Sequence, residues 1–458
     1  MSTYMDEYRS KLISAEQAAR LVKSGMVIEY GQFATKPVDF DRSLGARGGD
    51  DDLIDVTIRA TGSVLPVPEV VKNDPMHKSF TYGSWYCTAV DRKMSDFGLC
   101  IHYPFNYHEA NSVATLPSFQ HRWADIWVAQ TTPMDRGGVF NFGLANSHNY
   151  AMGSTAQIRI VEVNTSMPRC LGGHEEGIPI DEVDYIIEGS NTSIFATPPS
   201  PAPNEAEKRI AELIVEEIRD GSCIQLGIGA LPNTIGMMLA NSDLKDLGVQ
   251  SEMFCDAYVA MYEAGKITNA KKASDRYKST YTFCLGQQST YDFLHDNPRL
   301  ASCPVVYTND PARVRANDRM VSINNILEID LFSQVCSESK GLRQISGTGG
   351  QLDFVIGAYE SREGMSFLAF SSTFKDKEDN LHSRIRPLLT PGGVVTVPRT
   401  MVHWVVTEYG KVNVKALSIW ERAEALISIA HPDFRDQLIK EAEQMKIWRP
   451  TNRIPCSA

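Results

Sequence analysis

The sequence predicts an α/β protein made of two domains. Short β-branched runs alternate with helical periods along both halves of the chain, which favours helices layered on largely parallel sheets. The 458 residues exceed what one ordinary hydrophobic core holds. A proline-rich stretch at 196–203 can continue neither a helix nor a central strand. We therefore predict an N-terminal domain over 1–195, a linker over 196–203 and a C-terminal domain over 204–458.

An internal repeat of helix, glycine, strand, glycine and helix supports this division. The first copy runs through a capping box at Ser14, then Gly25, a strand over 26–30, Gly31 and Pro37. The second runs through a capping box at Asn204, then Gly221, a strand over 223–226, Gly227 and Pro232. Chance recurrence of a common α/β unit is the alternative explanation. We predict further strands over 158–163, 185–188, 352–356, 393–397 and 402–407, and terminal helices within 417–445.

Two glycine clusters are candidate binding sites. Gly227-Ile-Gly229 joins a strand to a helix, where backbone N–H groups are suited to contact a phosphate or a thioester. The pattern is neither Gly-x-Gly-x-x-Gly nor a Walker loop, and by itself it is equally consistent with a turn that binds nothing. Gly347-Thr-Gly-Gly-Gln351, placed before the predicted strand 352–356, offers bare N–H groups suited to an oxyanion hole over a thioester carbonyl.

Glu252 is the candidate nucleophile. It enters the apolar run 253–255, so we expect it to be partly buried, unlike most of the 56 acidic residues. A carboxylate beside a cofactor turn, with no metal motif nearby, suggests covalent chemistry by the carboxylate itself. Lys375 follows the apolar run 367–370 and is suited to bind an anionic cofactor as a point charge. The sequence is at least as consistent with a solvated Lys375 in the polar run 375–380 that binds nothing.

Other catalytic constellations are weakly represented. The ten histidines include no His-Glu-x-x-His; His174 lies in a polar stretch bounded by glycines, and His403 lies in a predicted strand. The chain has no Gly-x-Ser-x-Gly elbow. Cys255 has no local histidine partner. The nine scattered cysteines include no Cys-x-x-Cys pair, so neither disulfides nor a zinc site is predicted.

Composition excludes some classes of partner. A net charge of -11 argues against nucleic acid, because it supplies nothing to neutralise phosphates, but it does not exclude a small anionic cofactor. The N-terminal stretch 1–23 has no apolar core of a signal peptide, and no run approaches a membrane span. We expect a soluble, cytoplasmic protein.

The chain resembles the acetyl-CoA hydrolase/transferase family of CoA-transferases, and within it the butyryl-CoA:acetate and 4-hydroxybutyrate CoA-transferases. The resemblance lies in the segments QLGIGALPN, SEMFCDAYVAMYEAGKITN, SINNILEIDLFSQV, QISGTGGQLDFVIGAY and HWVVTEYGKVN, and in TTPMDRGGVFNFG and VEVNTSMPRCLGG of the first half. It implies two tandem CoA-transferase-type domains with similar open α/β folds. It also implies that CoA binds mainly to the second domain, and that the protein is a homodimer or a higher homo-oligomer.

The resemblance assigns roles to individual residues. Glu252, in Ser-Glu-Met, is the nucleophile that becomes a glutamyl-CoA thioester, and Gly350 is an oxyanion-hole donor. The implied CoA contacts are Gly227, Ile228, Gly229, Ala230, Leu231, Gly349, Gly350 and Lys375. Two departures concern the subfamily. Many members have Pro-Ser-Thr-Ala-Lys where this chain has Ser371-Ser-Thr-Phe-Lys375, and in this the chain resembles the butyryl-CoA branch. Many members also have tyrosine where this chain has Trp404.

The activity that the resemblance implies is transfer of CoA between a short-chain acyl-CoA and acetate, with a ping-pong mechanism. Butyryl-CoA and 4-hydroxybutyryl-CoA are the implied acyl donors, coenzyme A is a substrate, and no metal is needed. An acyl-CoA hydrolase would use the same residues, with water as the acceptor. A non-catalytic CoA-binding subunit would keep the glycine turns but would not need Glu252.

Overall fold

The computed structural model describes residues 2–118, 122–227 and 229–452, and the chain divides into two compact units. The first unit comprises Met1–Pro198 and Thr280–Thr308, and the second comprises Pro199–Ser279 and Asn309–Ala458. The chain therefore first passes from one unit to the other within the proline-rich stretch 196–203. The segment 280–308, which the sequence-based boundaries place in the C-terminal domain, belongs to the first unit.

The segment 280–308 belongs there because its side chains and backbone contact the first unit. Phe283 stacks on Phe33 with ring centroids 4.2 Å apart. The Tyr291 hydroxyl donates to the Phe195 carbonyl at 2.7 Å. Contacts between residues so distant along the chain leave no local pattern in the sequence.

A seven-stranded, fully parallel sheet forms the centre of the first unit. In spatial order its strands are Ile101–His102, Phe80–Ser84, Val56–Ala60, Val27–Tyr30, Ile126–Thr131, Ile158–Val163 and Tyr185–Glu188. Its α-helices are Ser2–Lys11, Ala15–Ala19, Val38–Gly45, Glu69–Asn73, Ala89–Asp96, Ala110–Thr115, Asn149–Thr155, Gln288–Leu294 and Val305–Thr308. Apolar clusters that include Phe40 and Trp127 cover the sheet.

The second unit contains a six-stranded sheet in which only the last strand is antiparallel. Its strands are Gly248–Val249, Cys223–Leu226, Met320–Asn325, Met365–Ala369, Trp404–Thr407 and Gly410–Asn413. Its α-helices are Glu205–Val215, Ala230–Ala240, Asp256–Glu263, Pro311–Ala316, Gln351–Glu360, Ile419–Ser428 and Pro432–Gln444. A core that includes Leu368, Val405 and Leu426 packs around this sheet. None of the helices in the described ranges combines the length and the apolar composition needed to cross a membrane.

The parallel sheets confirm the α/β fold class, and the shared strand order around the first strand of each sheet supports the predicted repeat. Val27–Tyr30 lies between the next strand of its unit and Ile126–Thr131, just as Cys223–Leu226 lies between Gly248–Val249 and Met320–Asn325. The glycines after these strands make equivalent hydrogen bonds: the Gly31 N–H donates to Val128 O at 2.8 Å, and the Gly227 N–H donates to Ile323 O at 2.9 Å. Gly25 and Gly221 both have positive φ, at +76° and +74°.

Two predicted strands are wrong. Residues 352–356 lie in the helix Gln351–Glu360, because Leu352, Val355 and Tyr359 form one apolar helical face against the core of the second unit. Residues 393–397 form no strand; Val397 makes one isolated bridge to Val335, and the segment follows the turn at Gly392. Both mistakes came from short apolar runs, which fit either element.

Both predicted capping boxes are confirmed. The Ser14 side chain accepts from the Gln17 N–H and heads Ala15–Ala19, and the Asn204 side chain accepts from the Glu207 N–H and heads Glu205–Val215. The helix that Ser14 heads is short and ends at Ala19.

Replacing Gly31 by alanine should destabilise the protein more than replacing Gly227, because less space surrounds Gly31. A Cβ on Gly31 would lie 2.6 Å from the Ala129 Cβ and would overlap the Thr35 carbonyl, whereas a Cβ on Gly227 would lie 3.2 Å from Ile323 O. We expect Gly31→Ala to lower the free energy of unfolding by about 3 kcal/mol, the upper range for overpacking, and Gly227→Ala by under ~1 kcal/mol. Urea unfolding of both variants measures this difference, and equal midpoints would contradict it.

Candidate active site

The candidate residues of the second unit lie at the carboxyl edge of its sheet. The Gly227 turn follows Leu226, Glu252 follows the strand Gly248–Val249, and the segment to Lys375 follows the strand Met365–Ala369. Because these strands are parallel, the segments that follow them lie at one edge, which is where open α/β sheets bind ligands.

The Gly227 turn leads directly into the helix Ala230–Ala240. Gly229 precedes the helix with φ at +124°, a conformation that favours glycine, and among the described residues no side chain caps the N-terminal N–H groups. Leu231 is buried and anchors the first turn of the helix. Ile228 lies outside the described residues. The turn therefore presents backbone donors that no side chain occupies.

A pair of buried amides supports this turn. Gln225 Nε2 donates to Asn324 Oδ1 at 3.2 Å, and Asn324 Nδ2 donates to Gln225 Oε1 at 3.1 Å. A Cβ on Gly227 would lie 3.2 Å from the same Asn324 Oδ1. The reciprocal pair fixes the neighbouring strand close to the glycine, so the turn has one defined backbone path.

Two neutral donors hold the Glu252 carboxylate. Asn309 Nδ2 lies 2.8 Å from Glu252 Oε2, and the Gly350 N–H donates to the same carboxylate. A Cβ on Gly350 would overlap both Asn309 Nδ2 and Glu252 Oε2, so only glycine permits this approach. The predicted site residues Glu252 and Gly350 are thus in direct contact.

The helix Gln351–Glu360, where a strand was predicted, explains how Gly350 reaches Glu252. Gly350 is the N-cap of this helix, and Gly349 before it has φ at +59°. The N-terminal end of a helix carries unpaired N–H groups and a partial positive charge. The Gly-Gly-Gln segment therefore brings the positive end of a helix to the Glu252 carboxylate.

Burial sets the charge state of Glu252. The residue keeps partial access to solvent, yet surrounding protein raises the pKa of the carboxyl to about 7. Burial is the largest cause; the Asn309 hydrogen bond lowers the pKa, the Asp353 charge raises it, and the Gly350 N–H lowers it. Among the described residues, no lysine or arginine forms an ion pair with Glu252. The carboxylate is therefore ionisable near neutral pH without a counter-cation.

Asn309 and Asp353 are site residues that the sequence analysis missed. Asn309 comes directly before Asp310, which caps the helix Pro311–Ala316, and Asp353 is a buried acid in the first turn of Gln351–Glu360. A single acid within the apolar run 352–356 is the signal that could have identified Asp353. Asn309 has no such signal, because it reaches the site through tertiary structure.

Lys375 is exposed and lies at the end of a strand in the hairpin formed by Thr373–Lys375 and Leu381–Ser383. Its ammonium group lies 2.9 Å from the Asp379 carboxylate. The neighbouring Phe374 ring contacts two further cations, Lys340 at 5.0 Å and Arg384 at 5.3 Å from the ring centroid. Lys340, Phe374, Arg384 and Arg386 line a cavity of about 160 Å³. Basic side chains therefore lie against the Phe374 ring, although Asp376, Glu378 and Asp379 outnumber the two lysines of the hairpin itself.

The alternative candidates have other surroundings. Burial raises the pKa of the Cys255 thiol to about 12, so this thiol is neutral at physiological pH. Burial lowers the pKa of His403 to about 4, and its Nδ1 accepts from the Ser366 N–H at 3.4 Å. His174 stacks on Tyr307. Across the described ranges, no three His, Cys, Asp or Glu side chains are grouped as a metal site needs.

The first unit fills its equivalent helix terminus with its own carboxylate. Glu162 accepts hydrogen bonds from the backbone N–H groups of Val38 and Phe40 at 2.8 and 2.9 Å, and from the Gln130 amide at 2.8 Å. Burial raises the pKa of Glu162 to about 7. The helix Val38–Gly45 therefore has no free N-terminal donors for a ligand, unlike Ala230–Ala240.

Comparisons with known proteins extend over nearly the whole chain. The chain is 48% identical to the butyryl-CoA:acetate CoA-transferase of Anaerostipes caccae, covering 98% of this chain and 100% of that protein. It is 36% identical to the 4-hydroxybutyrate coenzyme A transferase of Clostridium kluyveri, covering 95% and 97%. The crystal structure of RipA from Yersinia pestis matches with a TM-score of 0.87 at 34% identity, covering 97% of this chain and 99% of that one.

Family descriptions match both halves of the chain. Residues 1–196 match the acetyl-CoA hydrolase/transferase N-terminal domain, and residues 286–442 match the corresponding C-terminal domain. Gly350 lies inside the second matched range, and Glu252 lies between the two ranges. The chain therefore belongs to the acetyl-CoA hydrolase/transferase family of enzymes.

Proposed function

We propose that this protein is a CoA-transferase that moves CoA between a short-chain acyl-CoA and acetate. Butyryl-CoA and 4-hydroxybutyryl-CoA are the acyl donors that its similarity to the named relatives supports. The observation that carries the proposal is the Glu252 carboxylate held by Asn309 and the Gly350 N–H without a cation. We further propose a cytoplasmic homodimer that acts in butanoate metabolism during fermentation.

The surroundings of Glu252 suit a nucleophile. A cation paired with the carboxylate would lower its basicity, whereas burial and Asp353 raise the pKa to about 7. A more basic carboxylate attacks a thioester more readily, and a pKa near the working pH keeps a large fraction ionised. The carboxylate is thus both reactive and available.

The first half-reaction moves CoA from the acyl group of the substrate to Glu252. A Glu252 oxygen attacks the thioester carbonyl carbon, the carbon–sulfur bond breaks, and the CoA thiolate leaves with the electron pair. The thiolate then attacks the Glu252 carbonyl carbon of the mixed anhydride, and the first acid leaves as a carboxylate. The enzyme retains CoA as a thioester on Glu252, and acetate reverses both steps in the second half-reaction, giving ping-pong kinetics.

Asn309 and Gly350 are suited to stabilise the oxyanion. When the thiolate attacks Glu252, negative charge develops on the carboxyl oxygen of Glu252 itself. The Asn309 amide already lies 2.8 Å from that group, and the Gly350 N–H donates to it as well. Donors fixed before the reaction need no reorganisation, and the loss of one costs on the order of 10²-fold in rate.

The glycine turn, the Gly-Gly-Gln segment and Lys375 are the proposed CoA contacts. The uncapped N–H groups after Gly229 suit a phosphate or the pantetheine arm, and Lys375 suits a phosphate as a point charge. The predicted contacts Gly227, Ala230 and Leu231 belong to the glycine turn, and Gly349 belongs to the Gly-Gly-Gln segment before the helix Gln351–Glu360. Binding energy from this large cofactor can be used at the reacting centre, which explains why a small acid is moved on CoA.

One assay separates the candidate functions. The protein is incubated with butyryl-CoA and acetate, and acetyl-CoA and free CoA are followed by chromatography. Acetyl-CoA formation in step with butyryl-CoA loss supports the transferase. Free CoA without acetyl-CoA would favour the hydrolase, and no turnover of any acyl-CoA would favour the CoA-binding subunit.

Replacement of the nucleophile should abolish transfer. We expect Glu252→Gln to lower kcat by at least ~10³-fold, because an amide cannot form the acyl intermediates. Glu263→Gln, an exposed acid on the following helix, is the matched control with unchanged activity. The raised pKa of Glu252 means that its ionised form costs stability above the unfolded pKa, so Glu252→Gln should unfold no earlier than the parent at pH 8. Near-normal turnover by Glu252→Gln would sink the assignment.

The covalent intermediate should be trapped on Glu252. Protein incubated with acyl-CoA alone and treated with borohydride should lose activity, because a glutamyl thioester is reduced to the alcohol. Peptide mass spectrometry should locate the change at residue 252 and leave Cys255 unmodified, since its thiol is neutral. Modification of Cys255 would instead require a thiol mechanism.

The rate of the first half-reaction should depend on pH through Glu252. Its ionised form is the nucleophile and its pKa is about 7, so kcat/KM should level off above that pH. Below it, the rate should fall by about tenfold per pH unit. Rapid-quench measurement of butyrate release from butyryl-CoA between pH 5 and 9 tests this. A rate that stays flat down to pH 5 would contradict the raised pKa.

A further inference from the structure

The Asn309 amide lies between two carboxylates. Its Nδ2 atom lies 2.8 Å from Glu252 Oε2 and 3.4 Å from Asp353 Oδ2. Its Oδ1 atom is buried and has no hydrogen-bond partner among the described residues. Asp353 is itself buried, at 1% exposure. Both carboxylates therefore face the donor side of the same amide group.

This arrangement restricts the orientation of the amide. A rotation of Asn309 by half a turn would place Oδ1 against two carboxylates, and an ionised carboxylate only accepts hydrogen bonds. Asp353 thus opposes the rotated state independently of Glu252. Gly350 caps the helix Gln351–Glu360, and Asp353 lies in its first turn. One helix therefore positions both the N–H donor and the negative charge that act on Glu252.

We propose that Asp353 is a positioning residue that keeps the donor face of Asn309 toward Glu252 and drives Glu252 toward its uncharged acylated state. The inference rests on the function proposed above. Asp353 touches no reacting atom in this role; it acts through the Asn309 amide and through its own negative charge.

The charge argument follows from the balance of the half-reaction. Ionised Glu252 and a neutral thioester group become a neutral glutamyl thioester and a free carboxylate. The bond from CoA sulfur to the acyl carbon breaks, a bond from sulfur to the Glu252 carbonyl carbon forms, and the released acid carries the negative charge away. Repulsion between Glu252 and Asp353 is relieved in that step, so the Asp353 charge favours loading of CoA onto the enzyme.

Other charged groups near Glu252 do not supply this effect. Asp310, beside Asn309, directs its carboxylate to the Ala312 N–H of its own helix at 2.9 Å. The Cys255 thiol is neutral. Asp256 begins the helix that follows Glu252. Burial raises the pKa of Glu252 most, and Asp353 is the charged group that raises it further.

The test compares Asp353→Asn with Glu360→Gln, an acid on the same helix that pairs with Arg315 on the surface. We expect Asp353→Asn to lower the apparent pKa of the pH–rate profile by about one unit. We expect the equilibrium constant for formation of the CoA adduct from butyryl-CoA, read by intact-protein mass spectrometry at fixed butyrate, to fall by about tenfold. Glu360→Gln should change neither quantity.

A second variant separates charge from position. Asp353→Glu keeps the charge but displaces the carboxylate, so it should retain the apparent pKa while lowering kcat, and it serves if Asp353→Asn does not fold. An active Asp353→Asn with the parental pKa and adduct equilibrium would overturn the inference. A parent enzyme that forms no adduct at all would instead overturn the proposed function, and the inference with it.

Discussion

The carboxylate of Glu252 must stay ionisable in a partly buried place without a cation, and the second unit is arranged around that requirement. Burial alone would neutralise the group. The Asn309 amide and the Gly350 N–H offset part of that cost, and they leave the carboxylate more basic than an ion pair would. Neutral donors are weaker partners than a guanidinium, which is why the pKa remains raised to about 7. The same weakness leaves the oxygen atoms reactive.

Parallel strand order brings these groups together. Glu252, the glycine turn and Lys375 each follow a strand of one sheet, and parallel strands end at one edge. Asn309 and Gly350 do not follow a strand directly. Each lies just before a helix that leads back to the next strand. The starts of such helices lie at the same edge. The site is therefore a direct product of the topology, with the strands supplying the acid and the helices supplying donors.

Local patterns predicted the fold class, the repeat, both capping boxes and the strand before Gly227. They failed where tertiary contacts determine the secondary structure of a segment or the position of a side chain. The run 352–356 has enough apolar residues for a buried strand, but its spacing also suits one face of a helix, and packing favoured the helix. Glu252 and Gly350 could be named from motifs because each lies in a distinctive segment. Asn309 could not, because its role depends on a 2.8 Å contact with a residue 57 positions away.

Comparison of the two repeats explains why only one is proposed to bind CoA through its glycine turn. Both units place a glycine after the equivalent strand and follow it with a helix. In the first unit the N–H groups of Val38 and Phe40 are satisfied by Glu162, a residue of the same sheet. In the second unit Gly229 heads the helix, and no side chain in the described part of the chain caps it. A helix terminus that is already neutralised offers little to a phosphate, so one buried carboxylate makes the first turn structural and leaves the second turn free for the ligand.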